Sequence, residues 1–308
     1  LNRRGYNTFV SCRECGYVME CKNCSIALTY HIKTNKLVCH YCGYTQDNVD
    51  TCPECGSKYI KFFGTGTQKI EDELHSLLPE ARILRMDFDT TSGKGGHEAI
   101  LDRFKNGEAD ILLGTQMVTK GLDFPDVTLV GVLAADSSLN IDDYRANERS
   151  FALITQVCGR AGRGQSEGRA VIQTYQPENQ TIKLAKEQDY TGFYENEIKY
   201  RSQMLYPPFC DIVYILTSGT AENDVKTEIT NISGIIRENI KPENGLISII
   251  GPAPAPVAKI KNNFRYRILL KVSSAAVIMP LLRHINDAHN DGGGNTSLII
   301  DINPGNML

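Results

Sequence analysis

Ile111-Leu112-Leu113-Gly114-Thr115-Gln116-Met117-Val118-Thr119-Lys120-Gly121-Leu122-Asp123-Phe124 sets a short apolar run against a loop of hydroxyls, one amide and one lysine. The run has the length of a buried strand. A switch to polar residues at its carboxyl end is where function sits in an open α/β sheet. Outward from it, apolar runs recur at Ile83–Met86, Val127–Leu133 and Ala170–Ile172. Amphipathic helical stretches lie between them at Lys69–Leu78, His97–Phe104 and Glu148–Val157. Alternation of this kind predicts parallel strands joined by crossover helices, and Val127–Leu133 is read as a buried core strand.

Two further loops share the polar character of Thr115–Asp123. Gly64-Thr65-Gly66-Thr67-Gln68 leads into a helix, where free backbone N–H groups suit a phosphate, although an ordinary strand-to-helix turn would read the same way. Gln156-Val157-Cys158-Gly159-Arg160-Ala161-Gly162-Arg163-Gly164 ends a helix with two arginines three apart between glycines. Such a spacing suits clamping of the charge that develops on a triphosphate. The loop after Leu113 suits contact with a nucleic-acid backbone.

Upstream, eight of the ten cysteines form four C-x-x-C pairs: Cys12/Cys15, Cys21/Cys24, Cys39/Cys42 and Cys52/Cys55. A two-residue spacer lets both thiolates of a pair face one ion, which is the ligand spacing of tetrahedral Zn²⁺ sites. Gly16, Gly43 and Gly56 follow three of the pairs and can take the positive φ of a tight turn. A disulfide framework fits less well, because the rest of the chain is nearly free of cysteine and no signal peptide opens it. Residues 26–38 read as a hairpin with a polar turn at Lys33-Thr34-Asn35-Lys36, which brings Cys21/Cys24 to Cys39/Cys42. The nested pairing then leaves Cys12, Cys15, Cys52 and Cys55 for the other zinc, in preference to sequential pairing. His31 and His40 lie close in sequence, but eight thiolates already satisfy two sites. Residues 1–62 hold eight Lys/Arg against five Asp/Glu, and eight thiolates with two Zn²⁺ add about −4, so the module is no strongly basic clamp.

Downstream, Tyr206-Pro207-Pro208-Phe209 marks a boundary, because two prolines fix an extended or turning chain. Beyond it the pattern reads strand (Asp211–Thr217), helix (Glu222–Ile240), strand (Ile247–Ile250), strand (Arg265–Lys271), helix (Ala275–His289) and strand (Ser297–Ile302). That β-α-β-β-α-β order is the ferredoxin-like one. Val225, Ile229, Ile232, Ile236 and Ile240 recur at helical spacing as one buried stripe. Pro252-Ala253-Pro254-Ala255-Pro256 is expected to be a stiff loop between the central strands, and Gly292-Gly293-Gly294 a flexible one before the last. Alternation puts Arg265, Arg267 and Lys271 on one face, with Lys259 and Lys261 near in sequence. That face is either an ordinary solvated surface or a contact for a DNA backbone or an acidic partner.

At 308 residues and 41% hydrophobic content the chain can bury a sizeable core, and its net charge of −3 speaks against a bulk polycation. The longest apolar stretch, Val127 to Ala135, is too short to cross a bilayer. Reduced cysteines suit the cytosol. Leu1 stands where a methionine would begin a complete chain, so a fragment is expected.

Gln156 to Arg163 resembles motif VI, and Thr115 to Asp123 motif V, of the second RecA-like lobe of superfamily 2 helicases. Eight cysteines ahead of Gly64-Thr65-Gly66-Thr67, together with Asp87-Phe88-Asp89-Thr90-Thr91, Asp143-Tyr144-Arg145-Ala146-Asn147-Glu148-Arg149 and Tyr206-Pro207-Pro208-Phe209, narrow the likeness. The combination resembles the primosomal helicases of bacterial replication restart over essentially the whole chain. The resemblance implies the C-terminal part of a monomeric, ATP- and Mg²⁺-dependent 3′→5′ DNA helicase of the nucleoid. Such an enzyme binds stalled forks and D-loops and starts primosome assembly. It implies that Arg160 and Arg163 contact the ATP phosphates beside Gln156, and that Gly121 and Asp123 couple nucleotide to DNA. Thr115 and Lys120 would lie along the DNA strand; Thr67, and Arg265 and Arg267 by their shared strand face, are read as further DNA contacts. Single-strand-binding protein and helicase-loading proteins are the implied partners. The implied division is a RecA-like lobe over 1–7 and 59–204, a two-zinc module inserted at 8–58, and an α+β, ferredoxin-like or S10-like domain over 205–308.

One departure matters. No G-x-x-x-x-G-K-[ST] run occurs: around Ser92-Gly93-Lys94-Gly95-Gly96, Phe88 replaces the first glycine and Gly95 follows the lysine. Val127 to Asp136 ends in Asp136-Ser137 without the glutamate of a Walker B strand. The chain alone is therefore expected to lack ATPase activity. The competing reading is a zinc-bearing scaffold that binds DNA or protein without nucleotide chemistry.

Overall fold

The computed structural model describes residues 9–31, 34–63, 67–91, 95–115, 124–141, 143–162, 167–240, 243, 245–292 and 294–307. The cysteine-rich stretch holds β1 (Phe9–Cys12), β2 (Thr29–His31), β3 (Lys36–Val38), β4 (Thr45–Asp47) and β5 (Ile60–Phe63). There follow α1 (Thr67–Leu77), β6 (Ile83–Met86), α2 (Phe88–Thr91), α3 (Gly96–Lys105) and β7 (Ile111–Gly114). Next come β8 (Leu129–Val132), α4 (Asp136–Leu139), α5 (Ala146–Cys158), β9 (Arg169–Ile172), α6 (Gln180–Glu187) and α7 (Tyr190–Met204). The last third holds β10 (Asp211–Gly219), α8 (Glu222–Asn239), β11 (Leu246–Ile260), β12 (Asn263–Val272), α9 (Ala275–Asp291) and β13 (Thr296–Ile302). Contacts divide the chain into two compact units, one of residues 1–17, 51–141 and 145–195, the other of 18–50, 142–144 and 196–308.

In the first unit the alternation of strands and helices produces parallel pairs. Ile83 to Met86 of β6 lie beside Ile111 to Gly114 of β7. Leu129 to Val132 of β8 lie beside Arg169 to Ile172 of β9. Leu84, Met86, Ile100 and Ala109 make one small core, with Phe104 and Leu112 against it. Ala135, Phe151, Ile154, Cys158, Ile182, Ala185 and Phe193 make another. At the start of α6 the Asn179 side chain accepts the amides of Thr181 and Ile182 as an N-cap. The reading of Val127–Leu133 as a buried strand is corrected: Leu129 is 62% exposed, so β8 has one open face.

In the second unit β2 and β3 pair antiparallel, Thr29 opposite Val38 and His31 opposite Lys36, and β4 adds to β3. The C-terminal sheet has the order β11-β12-β10-β13, with every neighbouring pair antiparallel. One face of it, with Val213, Ile215, Ile268 and Leu270, packs on Val225, Ile229, Ile232 and Ile236 of α8 and on Ile278, Leu282 and Ile285 of α9. Apolar spacing of 3.6 in the helices meets period two in the strands, and together they seal one aliphatic core. A second correction concerns Pro252–Pro256, which lies inside β11 and not in a loop. β11 is an edge strand, where a missing N–H costs least, and register shifts around Ala253 and Pro254 accommodate the prolines.

Candidate functional site

The thiols gather into two sets. Cys12, Cys15, Cys52 and Cys55 form one, Cys21, Cys24, Cys39 and Cys42 the other, and the sulfurs of each set lie within 4.8 Å of one another. Local geometry explains why. The carbonyls of Cys12, Cys39 and Cys52 accept the amides of Gly16, Gly43 and Gly56 at 3.1, 2.9 and 2.9 Å, and those glycines have φ of 75°, 77° and 72°. Each turn wraps the chain about its sulfurs, and the β2–β3 hairpin carries Cys24 back towards Cys39. Cys12 and Cys55 are 3.6 Å apart, Cys15 and Cys52 3.7 Å, and Cys21 and Cys42 3.6 Å. These spacings are far beyond a disulfide bond, and they match the edge of about 3.8 Å in a tetrahedron of Zn–S bonds near 2.3 Å.

Electrostatics agree with a cation in each set. The Cys15 amide holds the Cys12 thiol down at about 6. Despite the Ser57 amide, the Cys15 thiol and burial push Cys55 up to about 12. In the other set burial pushes Cys21 up to about 12, while at Cys42 the Tyr44 amide and the neighbouring thiols outweigh burial and bring it to about 7. Four sulfurs so close cannot all ionise unless a positive ion joins them. His31 and His40 meet each other, Nε2 to Nε2 at 3.3 Å, and neither belongs to a thiol set.

The described residues of the helicase-like motifs lie at strand and helix ends of the first unit. Gln156 is exposed on the last turn of α5, and Arg160 sits half-buried on the turn that follows. Gly162 has φ of 73°, and its amide donates to the Val127 carbonyl at 3.0 Å. A Cβ there would stand 2.5 Å from the Gly168 nitrogen, so only glycine lets the two ends of the intervening segment approach. Arg163 lies outside the described residues, as do Lys120, Gly121 and Asp123. Thr115 is half-buried directly after β7.

Thr67 opens α1 and donates its hydroxyl to Asp87 Oδ2 at 2.6 Å. Asp87 also accepts the Thr90 amide at 3.0 Å, and Arg85 lies between it and Glu71 at 3.0 and 2.8 Å. Burial raises the Asp87 carboxyl, but Thr67, Thr90 and the Arg85 charge outweigh it and hold it below the usual range. Asp136 plays a like part beside β9, accepting the Thr174 hydroxyl at 2.6 Å and the Tyr175 and Gln176 amides at 2.9 and 3.2 Å. Sequence reasoning did not single out these two carboxylates as positioning groups. The signal for Asp87 was present, since an aspartate three residues before a threonine caps a helical turn.

The arginine face of β12 differs from a solvated surface. Arg265 donates to the Val257 carbonyl at 3.1 Å and Arg267 to the Met307 carbonyl at 3.3 Å. Lys271 donates to the Met204 carbonyl at 2.8 Å, and its Nζ lies 3.7 Å from the centre of the Tyr206 ring. Buried Tyr214 shares the face: burial pushes its phenol up, and the charges of Arg265 and Arg267 oppose that shift. Tyr206 stacks on Tyr144 at 5.1 Å, and Arg201 lies over Tyr144.

Comparison with known proteins matches three family models in chain order. Residues 21–46 match the PriA DNA helicase Cys-rich region domain, 51–165 the helicase conserved C-terminal domain, and 202–305 the primosomal protein N C-terminal domain. Replication restart protein PriA of Bacillus subtilis is 44% identical over 310 residues, an alignment that takes in 100% of this chain and 38% of that protein. The Synechocystis protein of the same name is 47% identical over 92% of this chain and 34% of its own length. That of Treponema pallidum is 35% identical over 100% of this chain and 46% of its own. The chain thus spans about two fifths of the length of the relatives it matches. With the models in order and identity running through all of them, the chain belongs to the PriA family of replication restart proteins.

Proposed function

We propose that this chain supplies the second RecA-like lobe, the two-zinc module and the C-terminal domain of an ATP-dependent 3′→5′ DNA helicase that binds stalled forks and D-loops and starts primosome assembly. The observation that carries the reading is the turn after α5, where Arg160 stands on a segment pinned by the Gly162–Gly168 approach. A charge clamp needs a guanidinium on a backbone that does not yield as charge develops. Close glycine packing supplies that stiffness. Arg160 and Arg163, with Gln156 beside them, bind the phosphates of ATP, whose Mg²⁺ complex supplies the transferable phosphoryl group. Gly121 and Asp123 couple that site to DNA, which Thr67, Thr115 and Lys120 line. The Thr67 hydroxyl bond to Asp87 orients the start of α1 in this scheme.

Two Zn²⁺ occupy the thiol sets. The domains divide as 1–7 with 59–204, 8–58, and 205–308, the last ferredoxin-like or S10-like, for which the order β11-β12-β10-β13 speaks. Arg265 and Arg267 bind the DNA backbone or an acidic partner such as single-strand-binding protein. Loader proteins dock on the same monomeric, cytoplasmic enzyme; no helix among the described residues is long and apolar enough to cross a membrane.

The test uses the complete enzyme. Arg160→Ala and Arg163→Ala should each lower DNA-stimulated ATP turnover by about 10³-fold or more, with zinc content and circular dichroism unchanged. Normal turnover in both would remove the arginines from the site. The 308-residue chain alone should show no DNA-stimulated ATPase activity. Turnover by that chain would overturn the division of the nucleotide site between two lobes. A zinc-bearing scaffold without nucleotide chemistry is the second reading, favoured by the absence of a phosphate-loop lysine motif from the sequence.

A further inference from the structure

The two thiol sets differ in where their surroundings come from. Around Cys12, Cys15 and Cys55 the amide groups that face sulfur belong to the same turns, at Cys15, Tyr17 and Ser57. Around the other set, Asn23 donates to Cys21 and Tyr44 to Cys42, each at 3.4 Å. Cys24 is different. Its sulfur accepts the backbone N–H of Lys261 at 3.3 Å, from a residue 237 positions away. Lys261 and Asn262 form the two-residue turn between β11 and β12, with φ of 49° and 64°. Both central residues are left-handed, as a tight hairpin turn requires, and that geometry aims the Lys261 amide outward. Two further backbone bonds hold the turn in place: Ser25 N–H to the Lys259 carbonyl and Asn262 N–H to the Asn23 carbonyl, each at 2.9 Å.

We propose that the β11–β12 turn is an outer-shell element of the Cys21/Cys24/Cys39/Cys42 metal site, so that the C-terminal domain governs how firmly this one zinc is held. The inference rests on the reading of both thiol sets as zinc sites. An N–H···S bond stabilises the negative charge of a thiolate and fixes the direction in which its sulfur faces. Partners in this shell typically change metal affinity by about 10–100-fold. Cys24 is 1% exposed, so water cannot replace the amide without the turn moving away. Cys15 and Cys55 of the other set are exposed.

Zinc release from the whole chain into a chromogenic chelator, with alkylation of freed cysteines read by mass spectrometry, separates the sites. The wild type should release one zinc fast, exposing Cys12, Cys15, Cys52 and Cys55, and one slowly. Lys261→Pro removes the donor and cannot adopt positive φ. It should speed the slow phase by about 10–100-fold and leave the fast phase alone. Lys261→Gly keeps both the amide and the turn and should release as wild type. Should Lys261→Pro unfold the C-terminal domain, the turn is lost all the same, and the slow phase must still accelerate. An unchanged slow phase, or equal acceleration of both phases, overturns the inference. Fewer than two zincs in the metal-replete wild type would instead overturn the zinc reading beneath it.

Discussion

The C-terminal sheet and the α/β lobe fill their interiors by different means. Under the sheet the fully buried side chains are mostly aliphatic, Val213, Ile215, Ile229, Ile232, Ile236, Ile268 and Leu270 among them, each 2% exposed or less, with the Thr217 hydroxyl bonded to the Val225 carbonyl beside them. In the lobe the apolar clusters are smaller, and Arg85, Asp87 and Asp136 are buried beside them at 7, 9 and 7% exposure. Each of those carboxylates stands just beyond a strand and accepts groups from a second segment. Aliphatic burial is non-directional and stabilises a shape. A buried hydrogen-bonded carboxylate fixes particular atoms, which is what loops that bind a ligand require.

Metal removal gives the largest contrast. Zinc-finger peptides draw roughly 10–16 kcal/mol from their ion, so chelation should unfold most of residues 9–58 while the lobe and the sheet keep their structure. Hydrogen exchange followed by peptide would show it, and general unfolding would mean that neither core suffices alone. Within the sheet, Ile268→Ala should cost about 2–5 kcal/mol, seen as a lowered urea midpoint for the C-terminal domain only. In the lobe, Asp136→Ala strands the Thr174 hydroxyl and the Tyr175 amide, while the Gln176 amide keeps the Thr174 oxygen. It should cost about 1–3 kcal/mol and raise exchange at Tyr175. If Ile268→Ala proves the milder of the two, the contrast between the interiors is drawn the wrong way round.

The smallest effect concerns a surface pair. The Arg82 side chain, bonded at both ends to Asp110, holds that carboxyl down at about 2. Its folded value lies below the ordinary one of about 3.9, so the pair adds stability that is complete above pH 4 and drains away as pH falls towards 2. Both groups are open to solvent, and the effect on folding should be slight. By carboxyl NMR, Asp110 should stay ionised between pH 4 and 3 in the wild type and titrate there in Arg82→Ala. Identical titrations would show that the pair does not persist in solution.

Much of the architecture was legible because local period and burial agree. Val225, Ile229, Ile232 and Ile236 announced the buried stripe of α8, and Ile111–Leu113 a strand. Legibility ended where distant chain supplied the partner. Arg265 and Arg267 alternate like a solvated face, yet carbonyls at Val257 and Met307 receive them. Three prolines suggested a loop, but an edge strand with a single neighbour tolerates them. In α7 the tyrosines at 190, 194 and 200 are all exposed, so no apolar stripe signalled that helix. Cysteine spacing foretold thiols gathered into two sets of four, since two-residue spacers act locally. Nothing local could have told that Cys24 receives an amide from a turn in the last fifth of the chain.

That long reach has a consequence in time. Ribosomes add about 5–20 residues each second, so the Lys261 amide emerges roughly 10–50 s after the cysteine it serves. For that interval Cys21, Cys24, Cys39 and Cys42 are all synthesised, while the turn that will cover one of them does not yet exist. Metal captured early is held by four sulfurs alone and is still exchangeable. If the turn covers the site as proposed, exchange slows once β12 has paired with β11, and the zinc supply during translation then weighs on what the site first holds.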